Sequence, residues 1–304
     1  MNKIKYLIAA IVLGGLIWYL FIKPQDYLIR FKARTAPGTL FSGVEEWNIL
    51  NQKQDSFSYR ILNKVPYKLI DQTLLTSNGL NLEIQWNFNS ISDSSTLITA
   101  GITEKEKSVY NRLSAPFMNT EFKQTSLKLI TDYKKGMEYQ MEEKFRVTIV
   151  GIDSVPSLNF VYVELKNIEM RNKAAQMMKN NPLLLTFIND KGLKGGEFPF
   201  LIIDKWNLND NLIDFRYCFP IKQLDSLPYH PDIKHGILPS TKALKAIYNG
   251  NYITSDRGWF ALHEFAKRHH INIENKPIEI FYDNPFYGGD ELKWKTEVYL
   301  PIKK

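Results

Sequence analysis

The first hydrophobic pattern along the chain is an unbroken run of uncharged residues at positions 6–22. As a helix it would be about 25 Å long, which spans a bilayer core when the flanking Lys3, Lys5 and Lys23 reach the headgroups. The run ends on bulky aromatic residues, whereas a signal-peptide cleavage site needs small ones. We therefore expect an uncleaved membrane anchor over residues 1–24; the alternative is a buried helix of a soluble core. The flanking charges favour neither orientation in the membrane.

The next pattern alternates between apolar and polar residues, with the period of two that marks a strand with one buried face. It predicts strands at 26–33, 67–75, 80–89 and 96–103, and a short helix at 39–48. Asn78 and Gly79 tolerate positive φ and indicate a hairpin turn. These elements favour an antiparallel sheet.

A helical period follows, with apolar residues at spacings of three, four and eight from Met118 to Phe145. Ser114 and Pro116 are residue types that suit a helix cap and a first helical turn. The pattern predicts one helix of about 30 residues whose apolar stripe packs on the preceding sheet.

This arrangement resembles the START-like superfamily (SRPBCC, polyketide cyclases and dehydrases). The residues that carry the resemblance are the lead-in at 23–27, Ala36 and Pro37 before a helix that ends near Trp47, and the long helix. The resemblance implies a helix-grip domain over residues 25–152 that holds an apolar ligand between sheet and helix.

The remainder of the chain repeats itself. Residues 196–204 parallel 275–283, and residues 215–221 parallel 296–302. Helical patterns at 172–189 and 254–270 precede these pairs, and strands at 158–165 and 236–246 precede the helices. Residues 153–304 are therefore predicted to form two β-α-β-β units, with a groove at their junction that suits a pocket.

This second part resembles the GyrI-like small-molecule-binding domain, which is related to the effector-binding domains of bacterial AraC- and MerR-type regulators. The residues that carry the resemblance are Gly250-Asn251-Tyr252, Trp259, Leu262, the run 277–282 and the run 295–302. The resemblance implies that the carboxylate of Glu297 faces a ligand pocket with aromatic walls. No helix-turn-helix segment accompanies these motifs, which puts transcription regulation in doubt.

For the whole chain, we predict an α+β protein with a transmembrane helix, a helix-grip START-like domain and a duplicated β-α-β-β domain.

Composition narrows the chemistry. The chain is 44% hydrophobic and 23% charged, as globular proteins are, and its net charge of +7 is scattered, so we expect no nucleic-acid partner. Cys218 is the one cysteine, which excludes an internal disulfide framework. The sequence at 263–267 begins like a zinc-protease helix, but Lys267 stands where the second histidine is required. We predict no metal and no cofactor.

The candidate binding residues centre on Glu297. Strand alternation puts Tyr299 on the same face, and a carboxylate among aromatic rings suits a lipophilic cation. At an offset of 81, Glu297 superposes on Arg216; a salt bridge between the two would instead admit zwitterionic or anionic ligands. The full predicted set comprises Glu297, Tyr299, Tyr252, Trp259, Arg216 and Tyr282.

The sequence therefore predicts a membrane-anchored protein that binds a small, partly apolar molecule and acts by sensing or sequestration. Lipophilic cations are among the molecules that would fit this description. The alternative is a hydrolase in which Glu297 serves as general base or steering carboxylate in the same pocket. The chain offers no clear second catalytic group for that role.

Overall fold

The computed structural model describes residues 2–196, 198–222 and 228–303. Glu197, which belongs to the first half of the repeat, lies outside the described residues. The chain forms two compact units. Unit 1 comprises Met1–Ala33, Leu40–Ile91 and Ser95–Glu138, and unit 2 comprises Arg34–Thr39, Ser92–Ser94 and Tyr139–Lys304.

Unit 1 begins with helix α1 (Asn2–Ile17), which continues as a π-helical segment at Trp18–Ile22. Within it, Lys3–Ile22 is long and apolar enough to cross a membrane, and none of its apolar window is buried. A soluble core helix of this composition would be covered by other elements. Its exposure therefore differs from that of a core helix.

The rest of unit 1 is an antiparallel sheet with three helices. In chain order the elements are β1 (Tyr27–Ala33), α2 (Pro37–Lys53), β2 (Phe57–Val65), β3 (Leu69–Thr76), β4 (Asn81–Ser92), β5 (Ser95–Thr103), a 3-10 turn (Lys105–Lys107), α3 (Ser108–Ser114) and α4 (Glu121–Glu143). The strands lie in the order β1-β5-β4-β3-β2. Gly79 in the turn before β4 has a φ of +83°, as the hairpin signal requires.

Helix α4 packs on this sheet through its aromatic face. The ring of Tyr133 lies 4.9 Å from that of Trp86 on β4, and its hydroxyl donates to the carbonyl oxygen of Leu40 at 2.7 Å. Both side chains are buried. The part of the predicted stripe from Phe122 to Met137 is therefore buried in the core of this unit, whereas Met118 is exposed.

The single long helix predicted up to Phe145 is wrong at both ends. Thr120 accepts a hydrogen bond from the backbone N–H of Lys123, so α4 begins after Thr120, whereas Ser114 ends the separate helix α3. At the other end, buried Phe145 pairs with Gly250 and starts a strand. A helical spacing cannot distinguish a last helical turn from the first residue of a strand.

Unit 2 is built on a second antiparallel sheet. Its elements are β6 (Phe145–Val155), β7 (Leu158–Glu169), a 3-10 turn (Met170–Asn172), α5 (Lys173–Asp190), β8 (Phe200–Asn207), β9 (Leu212–Ile221), β10 (Lys234–Leu238), β11 (Thr241–Gly250), a 3-10 turn (Tyr252–Thr254), α6 (Asp256–Arg268), β12 (Ile278–Phe281), 3-10 turns at Pro285–Tyr287 and Glu291–Lys293, and β13 (Lys295–Pro301). The strands lie in the order β10-β7-β9-β8-β12-β13-β11-β6.

One predicted strand of unit 2 is two strands. The pattern at 236–246 is divided between β10, which pairs with β7, and β11, which pairs with β13 and β6. Pro239 follows the end of β10 and lacks the N–H that a continuous ladder would need. The two ends of this run therefore belong to different parts of the sheet.

Candidate functional site

The two faces of the unit 2 sheet have different chemistry. Helices α5 and α6 cover one face, where Glu279 on β12 contacts Lys173 of α5, and Gly258 of α6 packs on Val298. The alternating residues of β12 point the other way, into a buried cluster that includes no residue of either helix. We call this side the helix-free face. Its cluster comprises Val155, Phe160, Phe200, Ile202, Cys218, Leu238, Ala243, Ile278, Ile280 and Tyr299.

Glu297 on β13 lies on the helix-free face, because it stands directly opposite Ile280 of β12, a member of that cluster. Only 8% of it is exposed. Its Oε2 atom accepts hydrogen bonds from the hydroxyls of Tyr282, at 2.9 Å, and Tyr299, at 2.7 Å. The structure thus brings together three of the predicted site residues.

Two lysines that the sequence analysis did not select complete this group. The Nζ atoms of Lys245 and Lys295 lie 3.3 and 2.9 Å from Oε1 of Glu297. Lys245 also pairs with Asp153 at 3.1 Å, and its side chain is largely buried, whereas that of Lys295 is 41% exposed. Lys295 lies over the ring of Tyr282, 4.3 Å from its centroid. The carboxylate is therefore compensated by cations instead of standing alone.

These contacts keep Glu297 ionised. Burial raises its pKa, but hydrogen bonds from Lys295, Tyr299 and Tyr282 and the charge of Lys245 outweigh burial and lower the pKa to about 2. Burial and the bond to Glu297 raise the pKa of Tyr299 to about 12, and they raise the pKa of Tyr282 as well. At neutral pH the site holds one carboxylate and two neutral phenols.

Arg216 lies on the same face but does not pair with Glu297, so that prediction is wrong. Arg216 is on β9 and Glu297 is on β13, and strands β8 and β12 lie between them. Three inter-strand steps of about 4.8 Å put the backbones of β9 and β13 about 14 Å apart. A closer acid is available: Nε and Nη2 of Arg216 donate to Asp204 on β8 at 3.0 and 2.8 Å. The guanidinium also lies 5.9 and 5.5 Å from the ring centroids of Phe160 and Tyr162.

Tyr252 and Trp259 do not join Glu297, because they lie on the helix-covered side. Trp259 is fully buried, and Nζ of Lys173 lies 4.5 Å from its ring centroid. Tyr252 packs against Phe281, and its hydroxyl donates to the carbonyl oxygen of Asp283 at 2.7 Å. The Gly-x-Tyr motif acts in packing here: Gly250 has a φ of +149°, and a Cβ would lie 2.5 Å from the Tyr248 hydroxyl.

The residues around Lys173 form a second polar group, which the sequence analysis also missed. Nζ of Lys173 donates to Ser255 Oγ at 2.6 Å and to the Glu279 oxygens at 3.1 and 3.0 Å. Lys173 and Glu279 are both fully buried. Burial raises the pKa of Glu279, while Lys173 and Ser255 act in the opposite direction. This group ties α5 to β12 and to the start of α6.

Among residues 2–196, 198–222 and 228–303, no group of three or more His, Cys, Asp or Glu side chains lies close enough together to hold a metal ion. Cys218 is fully buried, and burial raises the pKa of its thiol.

Comparison with known proteins gives similarities of fold only. No family model and no curated protein matches the chain. Among solved structures, the EcmrR C-terminal domain is 15% identical, covering 53% of this chain and 98% of that one with a TM-score of 0.43. SAV2435 bound to tetraphenylphosphonium is 15% identical, covering 53% and 94% with a TM-score of 0.35. The di-domain ARO/CYC StfQ from the steffimycin biosynthetic pathway is 11% identical, covering 91% and 85% with a TM-score of 0.27. These structures are consistent with GyrI-like and START-like folds.

Proposed function

We propose that this protein is membrane-anchored and binds a small, partly apolar molecule on the helix-free face of unit 2, beside Glu297. The observation that carries the proposal is the nearly buried, ionised carboxylate at the edge of an apolar cluster, with two tyrosine hydroxyls on one oxygen. Apolar side chains with a few fixed polar groups are the usual lining of a small-molecule site. The protein would act by sensing or sequestering this molecule.

The domain organisation is part of the proposal. We assign residues 1–24 to the anchor, 25–152 to a START-like helix-grip domain and 153–304 to a duplicated GyrI-like domain. The central pairing of β8 with β12, with β9 and β13 on either side, supports two related halves that meet at the middle of the sheet. The packing of α4 on the first sheet supports the helix-grip arrangement.

The lysines bear on the charge of the ligand. A cationic ligand must compete with Lys245 and Lys295 for Glu297, whereas a ligand with an acidic group can contact the lysines directly. Lys295 is the more exposed of the two and is attached through a flexible stem, so its ammonium is the one that a cation would displace. The aromatic rings beside it then supply cation–π attraction.

Binding of tetraphenylphosphonium to the full chain in detergent, measured by calorimetry, tests the site. We expect Glu297→Gln to weaken binding by about 1–3 kcal/mol, because a charge-assisted partner is lost. Lys295→Met should strengthen binding, because the competing cation is gone. Glu142→Gln, at an exposed glutamate of α4, is the matched control. Unchanged affinity in Glu297→Gln would exclude Glu297 from the site, and weaker binding of tetraphenylphosphonium in Lys295→Met would show that this lysine supports the site instead of competing with the cation.

The hydrolase alternative has less support. Polar groups do lie within hydrogen-bond reach of Glu297, as an enzyme would need, but they lower its pKa to about 2. A general base works best with a pKa near the working pH. These neighbours therefore suit a fixed charge that orients a ligand better than a group that removes a proton.

A further inference from the structure

Helix α3 of unit 1 has its polar and apolar sides reversed relative to an ordinary surface helix. Its polar residues Asn111, Arg112 and Ser114 are at most 5% exposed. Val109, Tyr110 and Leu113 are between 40% and 54% exposed on the same helix. A short helix that buries its polar side and leaves its apolar side uncovered needs a partner for that apolar side.

The apolar surface continues beyond the helix. Phe117 is 88% exposed and Met118 is 54% exposed in the turn between α3 and α4. We call the five residues Val109, Tyr110, Leu113, Phe117 and Met118 the α3 patch. Single exposed apolar residues are ordinary, but a contiguous group that includes an almost fully exposed phenylalanine marks an interaction surface.

The buried side of α3 is bonded to the end of the apolar N-terminal helix. Nε of Arg112 donates to Asp26 Oδ1 at 2.8 Å, and its Nη1 donates to the carbonyl oxygens of Leu20 and Tyr19 at 3.0 and 3.4 Å. In return, the hydroxyl of Tyr19 donates to the carbonyl oxygen of Arg112 at 3.0 Å. The α3 patch is therefore held directly beside the aromatic end of the membrane-spanning candidate.

We propose that the α3 patch lies in the interfacial region of the same lipid bilayer that the N-terminal helix crosses. Trp18 and Phe21 at the end of that helix are exposed, and aromatic residues of this kind favour the membrane–water interface. An adjoining surface of Tyr, Leu, Phe, Val and Met matches the apolar side of an interfacial helix, which inserts shallowly among headgroups. Lys105 and Lys107, just before α3 in the chain, pair with Glu83 and Glu104, and their side chains remain 74% and 60% exposed, so their ammonium groups can also contact anionic headgroups. This inference rests on the proposed membrane anchor.

Spin-label depth measurements on the full chain in vesicles of phosphatidylcholine and phosphatidylglycerol test the inference. Nitroxides are attached to Leu113→Cys, Phe117→Cys, Ile11→Cys in the anchor and Leu62→Cys, an exposed position on β2. Native Cys218 is fully buried and does not compete for label. All four substitutions are at exposed positions, and far-ultraviolet circular dichroism verifies that each labelled chain is folded.

We expect the labels at positions 113 and 117 to collide more often with oxygen, which concentrates in lipid, than with water-soluble nickel complex. Position 62 should show the opposite ratio. Lipid-like collisions at position 11 with aqueous ratios at 113 and 117 would overturn this inference and leave the anchor standing. Aqueous ratios at position 11 would overturn the anchor, and the inference with it. Dipolar broadening between labels at 113 or 117 of different molecules would overturn it in favour of a second copy of the chain.

Discussion

At the scale of single residues, the charge of Glu297 depends on neighbours from two strands and a loop. Its Oε1 atom pairs with Lys245 and Lys295, and its Oε2 atom accepts hydrogen bonds from Tyr282 and Tyr299. Because these groups favour the ionised form, folding lowers its pKa from the ordinary 4.5 to about 2. The pH dependence of ligand binding between pH 4.5 and neutrality should therefore come from other groups, including those of the ligand.

The lowered pKa predicts how stability changes with pH. Because the folded protein binds this proton less readily than the unfolded chain, Glu297 contributes its full stabilisation above pH 4.5 and loses it as the pH falls through 2. We expect Glu297→Gln to melt below the wild type at pH 7, and the difference to shrink between pH 4.5 and 2. Thermal unfolding across this range measures it, with Glu142→Gln as control. A difference that stays constant with pH would mean that packing, not charge, is responsible.

At this scale, site residues close to Glu297 in the sequence could be predicted, and those on other strands could not. Alternation along one strand places Glu297 and Tyr299 on the same face, and it would have added Lys295, two residues before Glu297. Lys245 is different, because it reaches the site through the pairing of β11 with β13, where it stands opposite Tyr299. The Arg216 prediction was wrong for a related reason: a repeat offset gives equivalent positions in two halves but not the distance between them.

At the scale of elements, the buried group of Lys173, Glu279 and Ser255 joins α5, β12 and the start of α6. Removing one member of a buried ion pair leaves the other charge without a partner in a dry interior. We expect Lys173→Met to reduce the free energy of unfolding by about 3–5 kcal/mol.

Urea unfolding measures this loss. The double variant Lys173→Met with Glu279→Gln should lose less stability than the sum of the two single variants, because neither charge is left alone. Lys179→Met, on an exposed side of α5, is the control and should change little. Additive losses would show that the two groups act independently.

Element types were more predictable than element ends. The helices at Lys173–Asp190 and Asp256–Arg268 lie where apolar periodicity predicts helices at 172–189 and 254–270. Strand β2 was missed, because most of its residues are exposed and no alternation of buried positions marks it. Helix α3 was missed as well, because its apolar residues lie before the stripe that begins at Met118, and the start of α4 was placed too early, at Ser114 and Pro116.

At the scale of the whole molecule, two truncations distinguish the effect of removing the apolar N-terminal helix from the effect of removing its hydrogen bonds with Arg112. Removing residues 1–17 should allow purification without detergent and leave the melting temperature unchanged, because Tyr19 and Leu20 still contact Arg112. Removing residues 1–23 also takes away the carbonyl acceptors of Arg112. We expect the longer deletion to cost about 1 kcal/mol, the low end for a buried donor that loses its partner, because water can enter.

Fractionation and thermal unfolding of the two truncated chains test this prediction. Equal melting temperatures for both deletions would mean that the contacts of Arg112 with the N-terminal segment contribute nothing. Loss of a cooperative transition in the shorter deletion would mean that residues 1–17 belong to a soluble core.

The bonds between Arg112 and the N-terminal helix also determine what unit 1 can reach. A domain on a flexible linker searches a volume set by the length of that linker. Here residues 23–25 separate the helical segment from buried Asp26, a span of about 10 Å, and the hydroxyl of Thr103 donates to the carbonyl oxygen of Pro24. If the N-terminal helix crosses a membrane as proposed, unit 1 therefore stays at one height and one tilt. Its encounters with other membrane components are then governed by lateral diffusion in the plane of the bilayer, and not by the swing of a tether.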